Sequence, residues 1–599
     1  MKKAAGVQWD LSDLFSDIDD AKLAECMAQA PQRAEQFERT YRGKIANVDL
    51  TAATLCTALR EFEDIQRVVA KPYWFAILAF SANSADDRIK ALVSRCQELD
   101  ARVNNTVLFF ELEIQEISPK KFDELIADKE IAAYRHWLEN VRIFKPYTLS
   151  EKEEQLINQK DLSGKLAFVN YFDELTSSFM WEMELDGEKK KLTGEEVRNL
   201  LRRPEPDIRE RAKRAYDGRY AENAITFTNV FNSIVKDHAV EMQMRGYASP
   251  IAPQHLRNRV RPEDVEAMMH ATTAHNELLQ EYFKLKARLL KMPKLRGCDL
   301  LAPVTAKKQE VLFSEAKALV LDSFAGFHDE FADLAGQMFD RKWIDAEVRG
   351  SKRGGAFCAA TLPELHPYIL MSYDDDIDNV YTLAHELGHA LHDFLAARKQ
   401  TILNFHPPLV AAETASVFAE MLLTKKLLTQ FSDRETRIDI LTGKLEDLFA
   451  TIHVQNFYTL FELDAHRQGA AQRLSASELC SLWTKRRDET YGDAVDFLSE
   501  QQWYWSAIPH FIHTRFYCYA YTFGALLVLA LYRRYEEEGK PFVPRYIELL
   551  EAGGSDKPEN LIRKIGFDIS DAKFWEGGFA VIRSLLNELT ALVDEKRGA

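Results

Sequence analysis

The stretch Ala384-His385-Glu386-Leu387-Gly388-His389-Ala390-Leu391-His392 governs how this chain is read. Leu383, Leu387, Leu391, Phe394 and Leu395 recur around it at three- and four-residue spacing, which predicts an amphipathic helix. On such a helix His385 and His389 stand one turn apart on one face, so two ring nitrogens can reach a single ion at about 2.0–2.1 Å. Glu386 is rotated by about 100° from His385, close enough to act on a water at that ion without ligating it. It is the natural general base. The competing reading is an ordinary helix with surface histidines, and Gly388 argues against it. A glycine inside a helix costs about 1 kcal/mol relative to alanine, so something must approach that turn closely. His392 continues the stripe and is read as a supporting or exposed histidine rather than a ligand.

Tetrahedral zinc with one open position needs a third protein ligand. Asp393 to Lys399 contains no histidine, so a distant helix must supply it. The segment Val410-Ala411-Ala412-Glu413-Thr414-Ala415-Ser416-Val417-Phe418-Ala419-Glu420 predicts a helix, and Glu413 lies among alanines small enough for two helices to pack closely. Glu413 is read as the third ligand, and Glu420 as a partner that orients a histidine. The expected cofactor is one Zn2+ per chain.

Outward from this centre, Arg349-Gly350-Ser351-Lys352-Arg353-Gly354-Gly355-Ala356 and the strand-like His366-Pro367-Tyr368-Ile369-Leu370-Met371-Ser372-Tyr373 gather glycine, β-branched and aromatic residues, so a small sheet should lie beside the motif. Residues 12–162 are nearly free of glycine and carry helical periodicity, as in Thr51 to Gln66 and Asp86 to Glu113. Phe179 to Leu185 alternates, and Asp186-Gly187 before Glu188 to Leu192 predicts a β-hairpin at about 179–192. A boundary is placed near residue 200, ahead of further helices.

The chain has 599 residues, 46% hydrophobic and 28% charged, enough for a large core. Its 93 acidic and 77 basic residues give a net charge of −16, which disfavours nucleic acid as a partner. The most apolar run, Thr522 to Tyr532, falls short of the roughly 18 residues of a membrane span. No signal-peptide pattern follows Met1, and seven scattered cysteines lack a C-x-x-C pair. A soluble protein of the reducing cytoplasm is expected, as a monomer or small homo-oligomer.

Trp503 to Tyr521 is the richest aromatic and histidine stretch, including Pro509-His510-Phe511-Ile512-His513 and Phe516-Tyr517-Cys518-Tyr519-Ala520-Tyr521. Its density suggests donors for a developing oxyanion, although tyrosines filling a helical core are the commoner use of such residues.

Taken together, His385-Glu386-Leu387-Gly388-His389, Glu413-Thr414-Ala415-Ser416 placed 24 positions after His389, Lys352-Arg353-Gly354-Gly355-Ala356-Phe357, Pro509-His510-Phe511 with its tyrosines, and Leu149-Ser150-Glu151-Lys152-Glu153-Glu154 resemble oligoendopeptidase F, within the thimet-oligopeptidase-like zinc metallopeptidases. The resemblance covers nearly the whole chain. It implies a mainly α, two-lobed helical fold around a deep channel, with residues 1–200 as a helical amino-terminal region and 201–599 as the catalytic region. It implies hydrolysis of internal bonds in short unfolded oligopeptides, with zinc on His385, His389 and Glu413 and with Glu386 activating water. His510 and a following tyrosine would serve the scissile carbonyl and the oxyanion. Tyr519 is the first choice, Tyr517 the second, and His513 competes with His510. If the segment is one helix, Tyr517 and Tyr519 lie about 200° apart and cannot both serve. Gly354, Gly355 and Ala356 would form the strand edge along which a peptide pairs. Two alternatives remain at this point: a zinc exopeptidase or other zinc hydrolase, and a non-catalytic peptide-binding helical protein.

Overall fold

Helix-forming runs with polar caps build most of this protein, and the computed structural model describes residues 4–305 and 309–595. The chain divides into two compact units, each assembled from three separate segments: Met1–Lys145, Lys308–Gln430 and Arg534–Asp568 in one, Pro146–Lys307, Phe431–Arg533 and Ile569–Ala599 in the other.

In the first unit the helices Ala21–Tyr41, Ala52–Ala82 and Asp87–Glu116 start at Asp20, Thr51 and Asp86, whose side chains accept from the first free backbone N–H groups. They pack on an aromatic core in which Phe37 meets Phe62, Phe109 and Phe110 at centroid distances of 5.1–6.1 Å. The helical periodicity of the sequence therefore extends further along the chain than Gln66 and Glu113. The small sheet lies where the glycine- and aromatic-rich patches predict it. Its central strand, Tyr368–Leu370, is parallel to Ile344–Asp345 and antiparallel to Phe357–Ala359. The helix Ile377–Ala397, capped by Asp376, packs on this sheet.

One buried cation anchors the loop that enters the sheet. Lys352, its side chain only 1% exposed, donates to the Asp345 carboxylate and to the carbonyls of Asp345, Glu347 and Met371. Arg349 grips the same carboxylate through both terminal nitrogens. A buried charge is tolerable when paired and fully hydrogen-bonded, as here.

In the second unit the antiparallel hairpin Met180–Leu185/Glu188–Thr193 turns on Asp186 and Gly187, with φ of +53° and +82°. A two-residue loop with both central φ positive matches the twist of the strands it joins. Alternate residues Trp181, Met183 and Leu185 are buried in a core shared with Phe231, Phe461, Trp505 and Phe511. Among the described residues no helix is long and apolar enough to cross a membrane.

Candidate metal centre

Two elements of the first unit converge on one point. The helix Ile377–Ala397 carries His385 and His389, and the chain beyond the short helix Leu409–Ala412 carries Glu413. The sequence predicts one helix from Val410 to Glu420. Instead the helix stops at Ala412 and a new one, Ser416–Gln430, begins after three intervening residues. Gly388 sits against this break: a Cβ there would lie 2.6 Å from Ser416 Cα and 2.7 Å from the Ala415 carbonyl oxygen. The close approach expected from Gly388 is thus backbone against backbone, and it requires glycine. The interrupted ladder is partly satisfied by Tyr546, whose hydroxyl donates to the Thr414 carbonyl at 2.7 Å.

The break delivers the Glu413 carboxylate to the two rings. Its Oε2 lies 3.3 Å from His385 Nε2 and 3.5 Å from His389 Nε2. Ligand atoms at zinc–donor distances of about 2.0–2.2 Å, arranged as a tetrahedron, are separated by roughly 3.3–3.5 Å. The two separations from Glu413 Oε2 fall in this range, so the group is compatible with a tetrahedral metal ion. Among the described residues His385, His389 and Glu413 are the one group of three or more such side chains whose ligand atoms all lie within 4.8 Å of one another. Ser416 Oγ donates to Glu413 Oε2 at 2.6 Å and fixes the carboxylate.

Glu420, one helical stretch further on, places Oε1 2.6 Å from His385 Nδ1. This contact holds a proton on Nδ1 and leaves Nε2 facing Glu413, where a binding metal would displace any proton Nε2 carries. Burial alone would lower the pKa of His385, but the hydrogen bond and charge of Glu420 outweigh it and lift the value to about 9. His392 is buried outside the group of three, and burial holds it neutral.

Glu386 is buried and lies outside the group of three. Burial pushes its carboxyl up to about 7, against the opposing influence of His385, while the backbone N–H of Cys358 hydrogen-bonds it. The edge strand thus helps to hold this carboxyl. The sequence offers no sign of this, because any residue at position 358 other than proline would supply the N–H.

The remaining site residues lie differently from expectation at the Gly354–Ala356 edge and at Tyr519. Gly354 and Gly355 form an exposed bend, with Gly355 at φ +84°, and Ala356 precedes the strand. The strand edge consists of Phe357–Ala359, whose outer side has no neighbouring strand among the described residues. The segment from His510 to Tyr521 is not one helix either. A short helix, His510–His513, is followed by a turn with Phe516 at φ +57°, and a new helix starts at Tyr519.

That turn separates the tyrosines. Tyr517 and Tyr521 line one pocket with His510, and His510 Nε2 is 3.3 Å from the Tyr521 hydroxyl. Tyr519 points the other way: it is fully buried, and its hydroxyl meets His255 Nδ1 at 3.2 Å, Asn258 Nδ2 at 2.8 Å and the Gln254 carbonyl at 3.2 Å. Tyr519, the first choice from sequence for the oxyanion, is a core residue with its hydroxyl tied off. His513 is exposed and bonded to Asp173 at 2.8 Å, on the rim of the pocket.

Comparison with known proteins agrees with this architecture. The chain matches the sequence model described as Peptidase family M3 over residues 199–581 and that described as Oligopeptidase F over residues 113–180. It is 26% identical over 590 residues to "Oligopeptidase PepF" of Bacillus subtilis (strain 168), spanning 98% of this chain and 87% of that one. It is 25% identical over 593 residues to "Group B oligopeptidase PepB" of Streptococcus agalactiae serotype III (strain NEM316), spanning 98% and 97%. Its fold matches a solved structure from Chlamydophila abortus with a TM-score of 0.88 at 22% identity, covering 98% of both chains. It also matches oligoendopeptidase-F from Enterococcus faecium with a TM-score of 0.70 at 23% identity, covering 96% of this chain and 98% of that one.

Proposed function

Because the chain belongs to peptidase family M3, we propose that this peptidase is a zinc-dependent endopeptidase that hydrolyses internal bonds of short, unfolded oligopeptides. The observation that carries this reading is the spacing of 3.3 and 3.5 Å from Glu413 Oε2 to the two histidine Nε2 atoms, with the carboxylate of Glu386 beside them. His385, His389 and Glu413 would hold the metal, and Glu420 would keep His385 in the ligating tautomer. Bound there, zinc supplies Lewis acidity and brings the pKa of a water towards about 7.

Glu386 is suited to the proton work. A carboxyl raised by burial accepts a proton from water near neutral pH and returns it to the leaving amine, the matching of pKa that general acid–base catalysis exploits. The carbonyl and oxyanion roles fall to His510 and to Tyr517 or Tyr521, which share one pocket. The outer edge of Phe357–Ala359, apart from the Cys358 N–H that Glu386 already holds, would take an extended peptide by backbone hydrogen bonds, a contact that reads little side-chain identity and fits broad specificity. Seven free cysteines support a reducing compartment such as the cytoplasm.

Mass-spectrometric mapping of cuts in a peptide set graded by length tests the substrate class. Internal cleavage of short peptides with sparing of folded proteins is expected. Trimming from one end only would favour an exopeptidase, and binding without any cut would favour a peptide-binding protein.

A further inference from the structure

The second unit contains a cavity of 290 Å³ whose walls belong wholly to its own segments. We propose that this cavity is a binding site for a small aromatic carboxylate, separate from the candidate metal centre and independent of the peptidase reading. Three lines of geometry lead there.

The first is the shape of the wall. Tyr458 and Trp483 lie 5.3 Å apart at 32°, Trp483 and Tyr504 lie 6.2 Å apart, and Tyr491 packs edge-on to Phe497 at 5.0 Å. These flat aromatic surfaces favour a flat aromatic guest in offset or edge contact. The Ala450–Val454 turn, which lines the same cavity, is π-helical, a local widening of the helix that recurs at functional sites.

The second is the supply of donors. The buried Trp483 Nε1 has no hydrogen-bond partner. No hydrogen bond from the hydroxyls of Tyr458, Tyr491 or Tyr504 is found among the described residues, and burial keeps these phenols protonated, helped by neighbouring tyrosines at Tyr458 and Tyr491 and by Asp217 at Tyr504. An indole donates only and a phenol donates readily, so the guest should bring acceptors.

The third is the charge left over. Lys213 is answered by the buried Asp217 at 3.0 Å, and Glu446 by the buried Lys286 and by Tyr282. Arg487, stacked 4.2 Å above the Phe497 ring, is paired among the described residues only with Asp488, whose side chain is 55% exposed. A guanidinium so placed has unused donors for a bidentate carboxylate.

Calorimetric titration of the intact holoenzyme with N-acetyl-L-phenylalanine and with its carboxamide tests the assignment. Saturable one-site binding of the acid is expected, with the amide at least ten-fold weaker. Arg487→Gln and the mild Tyr458→Phe should each weaken the acid at least five-fold, while His385→Ala, which disables the metal centre, should leave its affinity unchanged. Absence of saturable binding, equal binding of acid and amide, or loss of binding in His385→Ala with retention in Arg487→Gln would each overturn the assignment. Because the His385→Ala arm reports only on the metal centre, a failure here is distinguishable from a failure of the peptidase reading.

Discussion

Glu420 Oε1 stands 2.6 Å from Nδ1 of His385, so a carboxylate outside the group of three candidate ligands holds the proton on the ring nitrogen that faces away from them. Removing it as Glu420→Ala frees the ring to rotate and to protonate at either nitrogen. Metal affinity should fall about 10- to 100-fold, as partners behind metal-ligating histidines generally show. Competition with a graded chelator measures this, and an unchanged affinity would remove Glu420 from the account.

Tyr519 and Tyr517 should part in their behaviour. Tyr519→Phe strips a partner from His255, Asn258 and Gln254 in a buried cluster and should cost about 1–3 kcal/mol of stability, with turnover changed only a few-fold. Of Tyr517→Phe and Tyr521→Phe, one should lower kcat about 10²-fold or more at unchanged metal content. A large kcat loss in Tyr519→Phe, with both others active, would reverse this ordering.

Gly388→Ala should disturb the metal centre through the backbone. The added methyl meets Ser416 Cα and the Ala415 carbonyl, neither of which can swing away. Overpacking of this kind costs about 1–3 kcal/mol, and because Glu413 lies just before the displaced turn, zinc retention should fall with it. A lowered urea midpoint together with lowered bound zinc is expected, and a midpoint equal to that of the parent would contradict the close packing.

Acid should destabilise the protein through its buried histidines. His238, His255 and His453 are each lowered to about 4, chiefly by burial, whereas in the unfolded chain they titrate near 6.5. Between those values the unfolded chain binds more protons, so stability present above pH 6.5 is lost as pH falls towards 4. Glu462 acts oppositely: burial lifts it to about 8, and its contribution is present below 4.5 and lost as pH rises through 8. Each net proton is worth about 1.4 kcal/mol per pH unit. In His453→Gln the slope of unfolding free energy against pH between 5 and 6 should shrink by about one proton, and an identical slope would show that His453 does not titrate as its burial implies.

How much of this was legible in the sequence follows from the range of the interactions. Helix period alone places His385, Glu386 and His389, and the cost of Gly388 announces a close neighbour. Short alternating runs likewise locate the hairpin and the sheet beside the motif. What escapes is whatever depends on contacts distant in sequence. The interruption at Glu413 exists because the chain must present Ala415 and Ser416 to Gly388, while local alanine content argues for an unbroken helix. Phe516 adopts a left-handed conformation that nothing in its neighbourhood forecasts, and this one turn sends Tyr519 into the core and Tyr517 and Tyr521 to the pocket. Lys352 reads as a surface cation until Asp345 and three carbonyls are brought around it. Each compact unit is built of three segments, a division that no single boundary along the chain can express.

The central claim is that Glu386 drives hydrolysis at a zinc held by His385, His389 and Glu413. It is tested most directly by the cleavage rate of a peptide blocked at both ends, compared between the parent protein and Glu386→Gln at matched zinc content. The account predicts internal cleavage by the parent and loss of turnover in the variant with one zinc still bound per chain. Cleavage by Glu386→Gln at the parent rate would contradict it.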